Sequence, residues 1–469
     1  MPYSHDVIVI GAGAGGLTAA GGCAMLGLRV ALIELGEMGG DCLNTGCVPS
    51  KALIAAAHRA HDLNKPSALG IGSGGAQVDF RAVHDHVHTA IATIAPVDSQ
   101  ERFEGMGCEV IRGEAELTGR KTVRVNGRDL SAPRIVLATG SKPMIPPIPG
   151  LAEAPYLTNE TLFDLVDCPK HLIILGGGPI GMEMAQAFRR LGADVTVIEK
   201  DRPLAGNDEE AIAIALAALA EDGVAIVTGE AEKVDATPSG ISVSIKGGAI
   251  ITGTHLLVAT GRRFDPGSLA LEAAGVSYDK SGIAVDARRR TSNKHIYAIG
   301  DCRPGPHFTH ASGYEGSNLV VEIGLGVPTK ADYRALPKVT YLDPEIAQIG
   351  MTEAEARKTF GDKVSVWKEP FADNDRAIAE GDRRGFVKLI KRGRKLVGAT
   401  IVGAHSGDMI IAAAMAITGK ASTFGIASLI MPYPNRIEHV KKAAFASDDA
   451  LVFNKYTKAW AKFLARTRR

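Results

Sequence analysis

Six cysteines in 469 residues are too few to build a disulfide-held scaffold, and they are scattered as Cys23, Cys42, Cys47, Cys108, Cys168 and Cys302. Only Cys42 and Cys47 lie close together, and such a pair in a reducing compartment is more often catalytic or metal-binding than structural. An excess of charge is also missing. Lys and Arg number 53 against 52 Asp and Glu, a net charge of +1, which removes the electrostatic case for nucleic acid as a main partner. No apolar run approaches the roughly 18–20 residues of a membrane span. The start of the chain is polar, and the apolar run Val7 to Ile10 breaks at Gly11, so it does not read as a signal peptide. A cytoplasmic protein is expected. Low-complexity segments are lacking as well.

What the chain has in quantity is glycine, 54 residues in a composition that is 45% hydrophobic and 22% charged, ordinary for a globular protein except in those glycines. They fall in a pattern. Asp6 to Ile10 reads as a buried parallel strand, Gly11-Ala12-Gly13-Ala14-Gly15-Gly16 as a tight turn, Leu17 to Leu26 as a helix, and Val30 to Glu34 as the next strand. The same grammar returns about 165 residues later. His171 to Leu175 is a strand, Gly176-Gly177-Gly178-Pro179-Ile180-Gly181 the turn, Met182 to Leu191 the helix, and Asp194 to Glu199 the closing strand. Each unit is followed by a strand ending in Ala-Thr-Gly, at Ala138-Thr139-Gly140 and Ala259-Thr260-Gly261.

Each unit meets the full dinucleotide-binding pattern. The first glycine makes the turn, the second admits pyrophosphate to the backbone, and the third lets helix and strand pack closely. An acid about 20 residues on accepts from a ribose hydroxyl. The helix N-terminus adds free N–H groups and a favourable dipole. Gly11, Gly13, Gly16 and Glu34 are therefore candidates for one dinucleotide, and Gly176, Gly178, Gly181 and Glu199 for another. Glu199 would repel a 2′-phosphate, so NADH is expected over NADPH.

Asp41-Cys42-Leu43-Asn44-Thr45-Gly46-Cys47-Val48-Pro49-Ser50-Lys51 carries the chemistry. Two cysteines five apart can close a disulfide at one helical turn, where the N-terminal dipole favours a thiolate. Zinc would need a second ligand pair, and no further CxxC or HxxxH lies nearby. The pair is expected to be redox-active, with no metal.

Taken together, these segments resemble the class I pyridine-nucleotide disulfide oxidoreductases: lipoamide dehydrogenase, glutathione reductase, mercuric reductase and the soluble transhydrogenases. The resemblance spans essentially the whole chain. It rests on GAGAGG, GGDCLNTGCVPSK, the two ATG segments, GGGPIGMEMA, IYAIGD, VTYLDPEIAQIGMTEAE and GATIVG. It implies an α/β protein with two Rossmann-like domains of the glutathione reductase kind and a C-terminal α+β dimerisation domain. Residues 1–148 and 268–334 would bind FAD, 149–267 the nicotinamide dinucleotide, and 335–469 would form the interface of a homodimer. Ala138, Thr139, Gly140, Asp301 and Ala311 would join the FAD site, with Asp301 near the ribityl chain, and Gly261 the nicotinamide site. Lys51 and Glu183 would pair beside the flavin. Electrons would pass from nicotinamide through flavin to the Cys42–Cys47 disulfide, with Cys47 the flavin-proximal thiolate and Cys42 attacking the acceptor.

One motif departs from the family. Members that reduce organic disulfides end in His-Pro-Thr-x-x-Glu, whereas here the frame is Tyr433-Pro434-Asn435-Arg436-Ile437-Glu438. A histidine of pKa about 6.5 exchanges protons near neutrality; a tyrosine of about 10 is ionised to roughly one part in a thousand. Tyr433 and Glu438 remain the candidates for the acid–base position, and His439 points elsewhere on a helix. Tyrosine here resembles mercuric reductases and transhydrogenases, yet no cysteine follows Cys302 to hand over Hg²⁺. The expectation is an enzyme whose acceptor is a disulfide, metal ion or quinone, with dihydrolipoamide dehydrogenase, mercuric reductase and a non-enzymatic redox sensor as alternatives. His310 reads as structural or cofactor-adjacent, Cys302 as an inert buried thiol, and Asn374-Asp375-Arg376 as an interface loop. Phe453, Tyr456, Trp460, Phe463 and Leu464 recur at helical spacing among Lys455, Lys458, Lys462, Arg466, Arg468 and Arg469. That tail would pack on the dimer or lie on an anionic membrane surface.

Overall fold

The computed structural model describes residues 2–65, 69–72, 74–237 and 240–467. The chain divides into two compact units, one of Met1–Leu63, Gly75–Asp201 and Ile226–Asp332, the other of Asn64–Gly74, Arg202–Ala225 and Tyr333–Arg469.

In the first unit, Val7–Ile10 sits at the centre of a five-stranded sheet ordered Ile296–Ala298, Arg134–Leu137, Val7–Ile10, Val30–Glu34, Cys108–Arg112. Every pairing in it is parallel. The near-continuous apolar run follows from burial on both faces. Ile8 and Ile10 pack into one core cluster with Ile33, Leu137 and Ala298, while Val7 and Val9 pack with Leu32, Val136 and Tyr297 on the other side. The helix Ala14–Met25 begins three residues earlier than the apolar pattern suggests, because the glycine turn itself supplies its first turn.

A second sheet repeats the design in the order Ala225–Thr228, Asp194–Glu199, His171–Leu175, His255–Val258, Tyr156–Leu157. Its central pairings are also parallel. The helix Pro179–Arg190 opens on its proline, whose missing N–H costs nothing at that position. Two three-stranded antiparallel sheets, Ala115–Gly119 with Thr122–Val125 and Arg128–Ser131, and Ala231–Thr237 with Gly240–Ile245 and Ile250–Gly253, lie in the same unit.

The second unit is built on an antiparallel sheet, Pro337–Thr340, Glu345–Gly350, Lys395–Gly403, Phe386–Arg392, Val364–Pro370. The helix Glu438–Val452 covers it through Val440, Ala443 and Ala444, packed with Phe371, Val387 and Leu389. The segment Arg202–Ala225 is held to this sheet by a buried ion cluster. Lys388 Nζ donates to Asp208 Oδ2 at 2.9 Å and lies 2.7 Å from Glu210, and the Lys388 and Asp208 side chains are only 3% and 4% exposed. Asn374-Asp375-Arg376 is not a loop. Asn374, fully buried, caps the short helix Asp375–Glu380 by accepting from Ala377 N–H at 2.9 Å, which an Asx side chain does readily.

Candidate redox site

The two cysteines do not share a helix. Cys42 lies on the short helix Gly40–Asn44, and Cys47 is the first residue of the long helix Cys47–Asn64. Between them Thr45 and Gly46 break the chain, and a Cβ at Gly46 would press on Asp41 O at 2.8 Å. The cysteine segment runs against the first glycine turn. Gly39 N–H donates to Ala12 O at 2.9 Å, and a Cβ on Gly40 would meet Gly13 Cα at 2.9 Å. Asn44 pins the short helix by donating to Met38 O and Gly40 O at 3.0 and 2.9 Å. Local sequence thus carries the thiols to the mouth of the first dinucleotide unit.

The two sulfurs differ sharply in acidity. Cys47 is lowered to about 6, first by a hydrogen bond from Cys42, then by Thr309 and the Lys51 ammonium, with desolvation and Glu183 acting the other way. Thr309 Oγ1 lies 3.3 Å from Cys47 Sγ. Cys42 keeps its proton, held far above the ordinary thiol range by the same hydrogen bond and by burial. A thiolate at a helix N-terminus beside a cation is the arrangement that activates a cysteine. Lys51 Nζ donates to Glu183 Oε2 at 2.8 Å, joining the cysteine helix to the helix Pro179–Arg190 of the second dinucleotide unit. The other thiols are different in kind: burial pushes Cys23, Cys108 and Cys302 up to about 11.

Arg262, just after the second Ala-Thr-Gly, gathers residues that sequence reasoning left separate. It pairs with Asp41, next to Cys42, donates from Nε to Ser141 Oγ at 2.7 Å, and stands 3.7 Å from Asp301. Ser141 Oγ in turn donates to Asp301 Oδ2 at 3.1 Å. Ala311, 1% exposed, sits in the helix that opens at Thr309, and His310 stacks on Phe308 with ring centroids 5.3 Å apart. Spacing could not have found Thr309 or Arg262, because each meets the cysteine segment only through the fold.

Both glycine turns have room for a phosphate. A Cβ on Gly16 would collide with Gly11 O, and one on Gly181 with Gly176 O, so those glycines serve helix–strand packing. Gly11 and Gly176, with φ of +104° and +110°, turn beneath the carbonyls of Ala138 and Ala259. Gly13 and Gly178 differ: a Cβ at either would meet no protein atom within 4 Å. Neither helix has an acid in its first turn or a side-chain cap, so its N–H groups face that space. At the strand ends, Glu34 accepts from Ala12 N–H and, at 2.7 Å, from Gly36 N–H. Glu199 accepts from Gly177 and Asp201 N–H at 2.6 and 2.9 Å. Each carboxylate is fixed beside its glycine turn. Thr139 follows Ala138 in the first turn, and Gly140 and Gly261 take φ of +72° and +124° after their strands. The residues fit FAD at the first glycine turn and a nicotinamide dinucleotide at the second.

In the other unit Tyr433 is 72% exposed and its hydroxyl donates to Asp375 Oδ2 at 2.7 Å, which raises its pKa above the ordinary phenol range. Glu438 opens its helix with its N–H on Asn435 Oδ1 at 2.8 Å. His439 is fully buried, held by Asn374 Nδ2 at 2.9 Å and Pro370 O at 3.0 Å, and burial lowers its pKa. It is a core residue. Among the described residues, no group of three or more His, Cys, Asp or Glu could hold a metal ion, and no helix is long and apolar enough to cross a membrane.

Two dinucleotide folds beside an asymmetric cysteine pair are the layout of a flavoprotein oxidoreductase. The sequence profile of the pyridine nucleotide-disulphide oxidoreductases matches residues 5–316, and that of their dimerisation domain residues 336–444. The chain belongs to this family, and is an FAD-dependent enzyme using NAD(P)H. Among its relatives are a mercuric reductase of Bacillus cereus, 34% identical over 95% of this chain and 72% of that one. A dihydrolipoyl dehydrogenase of Geobacillus stearothermophilus is 34% identical over 94% of this chain and 95% of that one. The HOCl-induced flavoprotein disulfide reductase RclA of Escherichia coli has a similar structure, with TM-score 0.84 at 28% identity, covering 94% of this chain and 99% of that one.

Proposed function

We propose that the chain works as a homodimer that takes electrons from NADH and delivers them through the Cys42–Cys47 pair to an acceptor other than a simple organic disulfide. The observation that carries this reading is the split between the two thiols. Cys47, lowered to about 6, is a thiolate at neutral pH, while Cys42 retains its proton. Bound FAD would accept electrons from the nicotinamide and pass them to the disulfide. Around it, Gly11, Gly13, Gly16 and Glu34 hold the adenosine and pyrophosphate end, with Ala138, Thr139, Gly140, Asp301 and Ala311 along the rest. Lys51, oriented by Glu183, places a positive charge beside the thiolate. Gly176, Gly178, Gly181, Glu199 and Gly261 hold the nicotinamide dinucleotide.

Cys42 faces the acceptor. Proton transfer to a departing thiolate would fall to Tyr433, and the Asp375 hydrogen bond makes that phenol a still weaker acid than a free tyrosine. General acid–base help is worth about 10²–10⁴-fold, so lipoamide should turn over poorly. The relatives named for Hg²⁺ and for lipoamide supply the acceptors to compare. Anaerobic mixing of NADH-reduced enzyme with oxidised lipoamide, Hg²⁺ and a benzoquinone ranks them. Faster reoxidation by the metal ion or quinone supports the reading, and lipoamide in first place overturns it.

NADH is preferred because the basic residues after Glu199 are engaged. Lys200 pairs with Glu230 at 2.6 Å, and Arg202 pairs with Glu209.

A further inference from the structure

Beyond residue 444, where the dimerisation profile ends, the chain forms a helix, Lys455–Thr467, with no buried residue along it. At about 100° per residue, Tyr456, Trp460, Phe463 and Leu464 fall on one face, and Lys455, Lys458, Lys462 and Arg466 on the opposite one. The aromatic stripe is open: Tyr456 is 74%, Trp460 60% and Phe463 53% exposed. Trp460 stacks on Phe463 with ring centroids 5.5 Å apart, making a continuous plate. From Phe453 to Arg469 the sequence holds six Lys or Arg and no Asp or Glu; Arg468 and Arg469 lie outside the described residues.

That charge pattern separates two occupants of the stripe. A second copy meeting this face with its own copy of the same face about a twofold axis would set cation against cation. A helix needing only solubility would mix signs and gain i,i+4 pairs. An aromatic face opposite a uniformly basic one suits an interface where the rings enter the headgroup boundary and the cations meet anionic phosphate. We propose that this helix docks the enzyme on an anionic lipid surface. The inference does not depend on which acceptor the redox site serves.

The test uses the FAD-loaded full chain with vesicles of phosphatidylglycerol and phosphatidylcholine in equal parts, against vesicles of phosphatidylcholine alone. Co-sedimentation should favour the anionic vesicles by about tenfold or more and fade with added salt. Trp460 is one of two tryptophans, so a blue shift in emission that disappears in Trp460→Phe places that ring in lipid. The double variant Lys458→Glu with Lys462→Glu, at exposed positions, should lose about tenfold or more in binding while keeping its FAD and NADH oxidation. Absent binding, or equal binding to both vesicles, overturns the proposal. So does a Trp460→Glu variant that sediments as monomer where the parent is dimeric, because the stripe would then be covered by a second copy.

Discussion

The hydroxyl of Thr309 stands 3.3 Å from the sulfur of Cys47, across 262 positions of sequence. It does so because the helix Thr309–Leu319 begins where the long cysteine helix begins. Together with Cys42 and Lys51, it lowers Cys47 to about 6. A thiolate exists above its pKa. In two-electron-reduced enzyme, the long-wavelength absorbance a thiolate gives beside flavin should therefore grow with a midpoint of about 6 and stay level above it. Thr309→Val and Lys51→Gln should each move that midpoint upward, and Cys47→Ser should keep FAD but lose the band. A midpoint unmoved by both substitutions contradicts the assigned causes.

Replacing Glu199 by Ala removes a carboxylate held by Gly177 and Asp201 N–H. A hydrogen bond to a charged group is worth about 1.5–3 kcal/mol, or about 10–100-fold in affinity. NADH should weaken by an amount within that range and NADPH should gain. Steady-state kcat/KM for the two nucleotides measures the change; an unaltered ratio removes Glu199 from the ribose site.

Arg262 ties Asp41, Ser141 and Asp301 into one cluster beside the cysteine segment. Arg262→Ala leaves Asp301 and Asp41 without their shared cation. FAD retention in dilution, followed by flavin fluorescence, should fall about tenfold or more. Full retention would show that the cluster does not shape the flavin site.

Much of this architecture was legible in the residues. The two glycine turns, their acids and their flanking strands are local patterns, and strands buried on both faces read as unbroken apolar runs, as at Val30–Glu34 and His171–Leu175. The cysteine pair was legible by spacing, but its division between two helices was not, since the break depends on Gly46 packing against Asp41. Thr309 and Arg262 stayed hidden because parallel crossovers bring distant segments together, and no period in the sequence records that. Nor did periodicity show that Arg202–Ala225 joins the C-terminal unit. A buried lysine on the strand Phe386–Arg392 makes that connection.

That lysine is testable through stability. Lys388→Met leaves Asp208, 4% exposed at its side chain, buried without its cation. Removing one partner of a buried pair costs about 3–5 kcal/mol, whereas replacing both by apolar groups is often close to neutral. Urea unfolding should show a large loss for Lys388→Met and a smaller one for Lys388→Met with Asp208→Leu. Equal losses would mean that volume, not charge, governs the site.

Tyr433 offers a gain-of-function check. Tyr433→His should raise lipoamide turnover by about tenfold or more, while Tyr433→Phe should change it little. A large loss in Tyr433→Phe would make the phenol an active acid despite its Asp375 partner.

In the proposed reaction, electrons from NADH come to rest on Cys42 and Cys47. Anaerobic reduction with one equivalent of NADH, acid quenching, denaturation and alkylation, followed by mass mapping, tests it directly. Cys42 and Cys47 should gain label only after NADH, while Cys23, Cys108, Cys168 and Cys302 should label equally with and without it. A bleached flavin with Cys42 and Cys47 labelled no more than before NADH would contradict it.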